Sequence, residues 1–152
     1  MNRLHPVSRT ALVTGSGRNI GRSIAVAIGE QGHNVVINGS EDRVACEAVA
    51  AEVEQAGGRA VVVMGDVGRR ESFDHLIEVA HDTFGSVDIL INNAAIRPEK
   101  PFLDTTDADW HRVLDVDLNA VFYGCRAALP GMVSNNWGRI INLTGMNAIH
   151  GY

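Results

Sequence analysis

The chain has little of what would tie it to a membrane, a nucleic acid or an oxidising compartment. Its two cysteines, Cys46 and Cys125, fall far apart and inside predicted helices, which excludes a disulfide framework. They read as small buried hydrophobes of a reducing compartment. Met1 to Arg9 has no apolar core for a signal peptide, and no run is long enough to span a bilayer. The expectation is a cytoplasmic protein without a membrane partner. Basic residues are outnumbered, 13 against 18 acidic, for a net charge of −5, and no basic run exists. That excludes a nucleic-acid surface. The six histidines show no metal-ligand spacing. Nucleophile elbow, paired-carboxylate motif, internal repeat and low-complexity tract are all missing. What is present is a globular composition, 45% hydrophobic and 20% charged. The length, 152 residues, suits a single domain over 1–152.

The most informative stretch is Thr10-Ala-Leu-Val-Thr-Gly-Ser-Gly-Arg-Asn-Ile-Gly21. A short apolar run leads into a glycine-punctuated turn, and a helical pattern starts at once after it. Strand, tight turn, helix is the phosphate-binding corner of a dinucleotide fold. Gly15 and Gly17 have no Cβ, so the backbone can turn sharply and approach a pyrophosphate. The open N–H groups and dipole of a helix beginning near Ile20 favour its negative charge.

Beyond the corner, strands and helices alternate. Helix A spans about Ile20 to Gln31, with Gly32 ending it, and strand two is Val35 to Ile37. Helix B covers about Asp42 to Gln55, strand three Ala60 to Met64, helix C about Glu71 to Phe84 and strand four Val87 to Ile91. Thr106 reads as an N-cap for helix D, which continues to about Asn135 with a disturbance at Pro130-Gly131. Its buried stripe is read as Trp110, Val113, Leu114, Leu118, Val121, Phe122, Cys125 and Leu129, with Asp117 on the same stripe. Strand five is Arg139 to Leu143. Such alternation predicts an α/β fold, a doubly wound parallel sheet with helices on both faces and strand order 3-2-1-4-5. Ligand is expected over the carboxyl ends of strands one, four and five.

Thr14, Gly15, Ile20 and Gly21 make the corner resemble T-G-x-x-x-G-x-G, the fingerprint of the short-chain dehydrogenase/reductase family, a Rossmann fold. The family's middle glycine falls on Asn19, the non-glycine residue most tolerant of left-handed backbone. The resemblance runs from Thr10 to about Gly145 and implies a nicotinamide dinucleotide as cofactor. Gly15, Gly17, Arg18, Asn19, Ile20 and Gly21 would receive it. The acid that marks NAD users falls on Gly39, within uncharged Asn38-Gly39-Ser40. Arg18 matches a basic residue common in NADP users, and Ser40 is placed to donate to the extra phosphate. NADP(H) is therefore favoured over NAD(H), with Glu41 as the opposing sign. Arg18 as a solvated turn residue and Ser40 as a helix-B cap remain alternatives. Asp66-Val67 resembles the family's adenine clamp, and Asn92-Asn93-Ala94-Ala95 resembles N-N-A-G, which lies against the cofactor.

The catalytic resemblance is thinner. Asp115 to Phe122 resembles D-V-N-L-x-G-V-F, whose water-holding Asn falls on Asp117; a structural carboxylate with a lysine or backbone partner is the alternative. Gly138 to Gly145 resembles G-R-I-V-N-I-S-S. Leu143 would touch the cofactor, and the substrate-binding Ser falls on Gly145; Thr144 carries the nearby hydroxyl, although neighbours on extended backbone point to opposite faces, and Asn147 and His150 read as substitutes or as loop residues. The family's Tyr-x-x-x-Lys is absent, Tyr152 being out of register. The family's later elements would follow Tyr152, so the chain is expected to be truncated at its C-terminal end and without turnover by itself. The resemblance implies an NADP(H)-dependent oxidoreductase acting on a small-molecule carbonyl/alcohol pair, a homo-oligomer when complete. The alternative is a non-catalytic dinucleotide-binding protein, a sensor or inactive subunit.

Overall fold

Each strand of the sheet is short, and each of the first four is followed by a helix that packs on the sheet. In a computed structural model, which describes residues 8–145, five parallel strands lie in the order β3-β2-β1-β4-β5. They are β1 (Thr10–Val13), β2 (Asn34–Gly39), β3 (Arg59–Met64), β4 (Ile89–Asn92) and β5 (Arg139–Asn142). The connecting helices are α1 (Asn19–Glu30), α2 (Arg43–Gln55), α3 (Arg70–Phe84), α4 (Asp107–Leu114) and α5 (Ala120–Ser134). The expected doubly wound sheet and its order are therefore present.

Strand alternation divides the core in two. Leu12 registers with Val36 and Leu90, and all three pack against Phe73 and Leu76 of α3. Val13 registers with Ile37 and Ile91 on the opposite face, over Ala25 of α1 and Val49 and Val53 of α2. Buried Asp88 pins the amino ends of the strands. It accepts from the Thr10 N–H at 2.9 Å and lies 3.7 Å from Arg9. The Arg9 guanidinium lies 4.0 Å from the centre of the Trp137 ring, and that of Arg139 lies 5.0 Å from it.

Boundaries move by one or two residues. Helix A begins at Asn19, strand four is Ile89–Asn92, and strand five stops at Asn142. Helix D needs a larger correction. It is two helices joined by a π-type turn, Asp115–Asn119, and it runs through Pro130 without a break. The buried residues are Val116, Ala120, Gly124, Ala128 and Met132. The large residues assigned to the core point outward: Trp110, Leu118, Phe122 and Leu129 are all exposed. The reason is steric. A Cβ at Gly124 would stand 2.8 Å from Cε1 of Phe73 and 3.0 Å from Asn92 Oδ1, so it is glycine at this position that lets α5 come close to α3 and β4.

Thr106 caps α4 as expected, through a reciprocal box. Its hydroxyl accepts from the Asp109 N–H, and the Asp109 carboxylate accepts from the Thr106 N–H. The hydrogen bond from Lys100, followed by those from Thr106, holds the Asp109 carboxyl far below the usual carboxylate range. Cys46 is buried and Cys125 half-buried, both as free thiols. Burial pushes both thiols up. Among the described residues no helix is long and apolar enough to cross a membrane.

Candidate functional site

The corner after β1 is built by three polar side chains, two tying it to the end of β4 and one to β2 and β3. The Thr14 hydroxyl oxygen accepts from the N–H groups of Asn93 (2.9 Å) and Ala94 (3.0 Å), just past β4. Asn93 returns the tie, its amide donating to the carbonyls of Thr14 (2.8 Å) and Gly15 (3.2 Å). Asn38, buried in β2, is the third. Its Oδ1 accepts from the Gly15 N–H at 3.3 Å. Its Nδ2 donates to the carbonyls of Val63 (3.2 Å) and Gly65 (3.0 Å). One amide thus holds the corner, β2 and the end of β3 together.

Backbone conformation follows the sequence. Gly15 has φ +61°, and Asn19 has φ +50°, the left-handed value anticipated for the residue at the missing glycine. Gly21 is needed for space: a Cβ there would lie 2.5 Å from the Gly15 carbonyl oxygen. Arg18 precedes α1 in extended conformation and caps nothing with its side chain. The first N–H groups of α1 therefore have neither a helical acceptor nor a side-chain cap. No acidic residue stands in that first turn.

These donors line a cleft of about 830 Å³ over the carboxyl ends of β1, β2, β3 and β4. The expected cofactor residues of the corner line it, as do Ser40, Asp66, Val67 and Asn93 to Ala95. Leu143, Asp117 and Thr144 do not lie in its wall. Leu143 is instead held by its N–H to the Asn92 carbonyl at 3.0 Å, and the cleft reaches toward β3 where β5 was expected. An open row of N–H donors in a deep glycine-lined corner fits the diphosphate of a dinucleotide.

The end of β2 carries no acid. Ser40 is not the helix cap, because Asp42 takes that role by accepting from the Ala45 N–H at 2.9 Å. Beneath Gly39 lies Cys46, whose Sγ would be 2.6 Å from a Cβ at position 39. Among the described residues, Arg18 and Glu41 make no ion pair.

Asp117 corrects its sequence reading. It lies in the π-type turn, is exposed and off the buried stripe, and accepts from the Ile96 N–H at 2.9 Å. Its partner is backbone and no lysine is involved. Gly145 is exposed, with open space where a Cβ would stand. Asn147, His150 and Tyr152 lie outside the described residues.

Asn38 and Arg112 are among the cleft residues that were not anticipated. Asn38 left a signal, as a polar residue directly after the apolar run Val35-Val36-Ile37. Arg112 left none. It reaches across 46 positions to the Asp66 carboxylate, Nη1 to Oδ2 at 2.9 Å.

Comparison with known proteins agrees with this geometry. Residues 9–152 match the family described as short chain dehydrogenase. A 3-oxoacyl-[acyl-carrier-protein] reductase of Synechocystis sp. is 36% identical over 144 residues, 95% of this chain and 58% of the relative. The 3beta-hydroxysteroid dehydrogenase 1 of Eggerthella lenta is 38% identical over 142 residues, 93% of this chain and 54% of the relative. A crystal structure from Sinorhizobium meliloti 1021, described as a short-chain alcohol dehydrogenase, superposes with TM-score 0.89 at 34% identity. It covers 97% of this chain and 59% of that one. The chain thus spans a little over half the length of the relatives it matches.

Proposed function

This chain belongs to the short chain dehydrogenase family, and on that premise we propose that its cleft binds NADP(H) for an oxidoreductase acting on a carbonyl/alcohol pair. The supporting observation is the uncapped start of α1, whose N–H groups face a corner fixed by Thr14, Asn38 and Asn93. In this reading those N–H groups take the diphosphate. Asp66 and Val67 hold the adenine, and Asn93 to Ala95 support the half that carries the nicotinamide. When bound, that nucleotide supplies or accepts the hydride. Asp117 fixes the loop at Ile96, and Thr144 supplies the hydroxyl nearest to the substrate carbonyl. Homo-oligomerisation is part of the proposal, supported by the exposed apolar side chains of α5. So is a cytoplasmic location, supported by the two free thiols.

The full-length protein is expected to bind NADPH and to oxidise it with at least one member of a carbonyl panel. Gly145→Ser has open space for its side chain and is expected to raise that rate. A second reading, a dinucleotide-binding protein without turnover, is favoured by the missing hydroxyl at Gly145. It prevails if NADPH binds but neither form turns over. No dinucleotide binding in either form overturns both readings.

Cofactor preference has its own test. Arg18 and Ser40 support NADP, and the absence of an acid at Gly39 removes the usual repulsion of its phosphate. Gly39→Asp alone places its Cβ against Cys46 and is expected to cost stability as well as NADP affinity. Combined with Cys46→Ala, the same change is expected to lower the NADP-to-NAD affinity ratio by about tenfold or more, about 1.4 kcal/mol. Tighter NAD binding by the unaltered protein overturns the NADP assignment.

A further inference from the structure

Asp66 is held more firmly than a turn residue needs to be. Its Oδ1 accepts from the Gly68 N–H at 3.0 Å and from both terminal nitrogens of Arg112, each at 3.1 Å. Its Oδ2 is 2.9 Å from Arg112 Nη1, while Arg69 Nε stands off at 3.9 Å. The guanidinium comes from α4, on the far wall of the cleft. It fits only because position 68 is glycine: a Cβ there would stand 2.6 Å from Nη1.

Stability does not account for the pair, since its side chains keep 46% and 30% of their exposure and such pairs contribute little. Geometry gives it another use. Oδ1 already has three donors, whereas Oδ2 has one close donor and room for a second. Asp66 lines the cleft, where a ligand group can supply that second donor. We propose that Arg112 is a positioning residue for base recognition, turning Asp66 so that Oδ2 accepts from an exocyclic amino group and thereby selects adenine. This rests on the dinucleotide reading above. A purine bearing a carbonyl at the same place would set acceptor against acceptor, and sites built around one hydrogen bond reject such analogues strongly.

The test compares NADPH with its hypoxanthine analogue, titrated against the full-length protein and its variants. The unaltered protein is expected to prefer the adenine form by about tenfold or more. Arg112→Gln is expected to lose most of that preference while binding of the hypoxanthine form changes little, and Arg112→Lys to recover part of it. Gly68→Ala keeps the arginine but displaces its head, and is expected to act like Arg112→Gln. That variant guards against a fold defect specific to position 112. Equal weakening of both forms means that Arg112 touches the ring without reading its edge, and overturns the proposal. So does an unaltered protein that binds both forms equally, although the dinucleotide reading then survives. Failure of the unaltered protein to bind either form overturns both.

Discussion

Gly21→Ala is expected to lower NADPH affinity by at least about a hundredfold, near 2.8 kcal/mol, and to reduce the melting temperature as well. The added Cβ would stand 2.5 Å from the Gly15 carbonyl oxygen, 2.6 Å from Asn93 Nδ2 and 2.8 Å from Ser16 Cα. Two of those neighbours are backbone, which cannot rotate away. The third is an amide already bound to the Thr14 and Gly15 carbonyls. Relief therefore requires α1 to move away from the corner, taking its open N–H groups with it. Overpacking of this kind costs roughly 1–3 kcal/mol in stability. Gly131→Ala is the matched control. It lies in α5, and its Cβ would meet nothing nearer than His81 Nε2 at 3.8 Å. NADPH titration and thermal melts of the two variants check the claim. A Gly21→Ala protein that binds as the unaltered one does would remove the corner from the site.

The corner was legible because its rules are local. A strand, a glycine that must adopt positive φ, an asparagine tolerant of the same conformation and an immediate helix are all written within Thr10 to Ile28. The strand order was legible too, since βα alternation and right-handed crossovers leave few arrangements. The face of α5 was not. A reading by residue size puts Leu118 and Phe122 inside, but depth is decided by the neighbour, here Phe73 against Gly124. The π-type turn at Asp115–Asn119 also shifts the phase of everything after it, which the periodicity of one continuous helix does not capture. Asp117 followed the same error. It was expected among buried side chains, and it stands at the surface on a backbone N–H. The partnership of Arg112 and Asp66 joins two residues that each look ordinary alone, an exposed helical arginine and a strand-end aspartate. Only the closure of α4 over the β3 end brings them together.

Asn38→Leu is expected to destabilise the protein by roughly 3–5 kcal/mol, because leucine fills the volume but satisfies none of the groups that the amide serves. The Gly15 N–H and the carbonyls of Val63 and Gly65 each lose their partner in that side chain. A stranded buried group costs about 1–3 kcal/mol, and the three share one side chain, so their costs will not add in full. Against a typical margin of about 5–15 kcal/mol, the loss is large. At about 2–4 °C per kcal/mol for a domain of this size, the melting temperature falls by about 10 °C. Ile37→Val, one residue earlier in the same buried strand, separates packing from hydrogen bonding: it removes one methyl group and is expected to cost about 0.5–1.5 kcal/mol. Binding should follow stability, because the freed Gly15 N–H no longer fixes the turn that leads into α1. Denaturant titrations of the two variants decide the matter. If Asn38→Leu costs no more than Ile37→Val, the amide is filler in β2 and the three strands hold the corner without it.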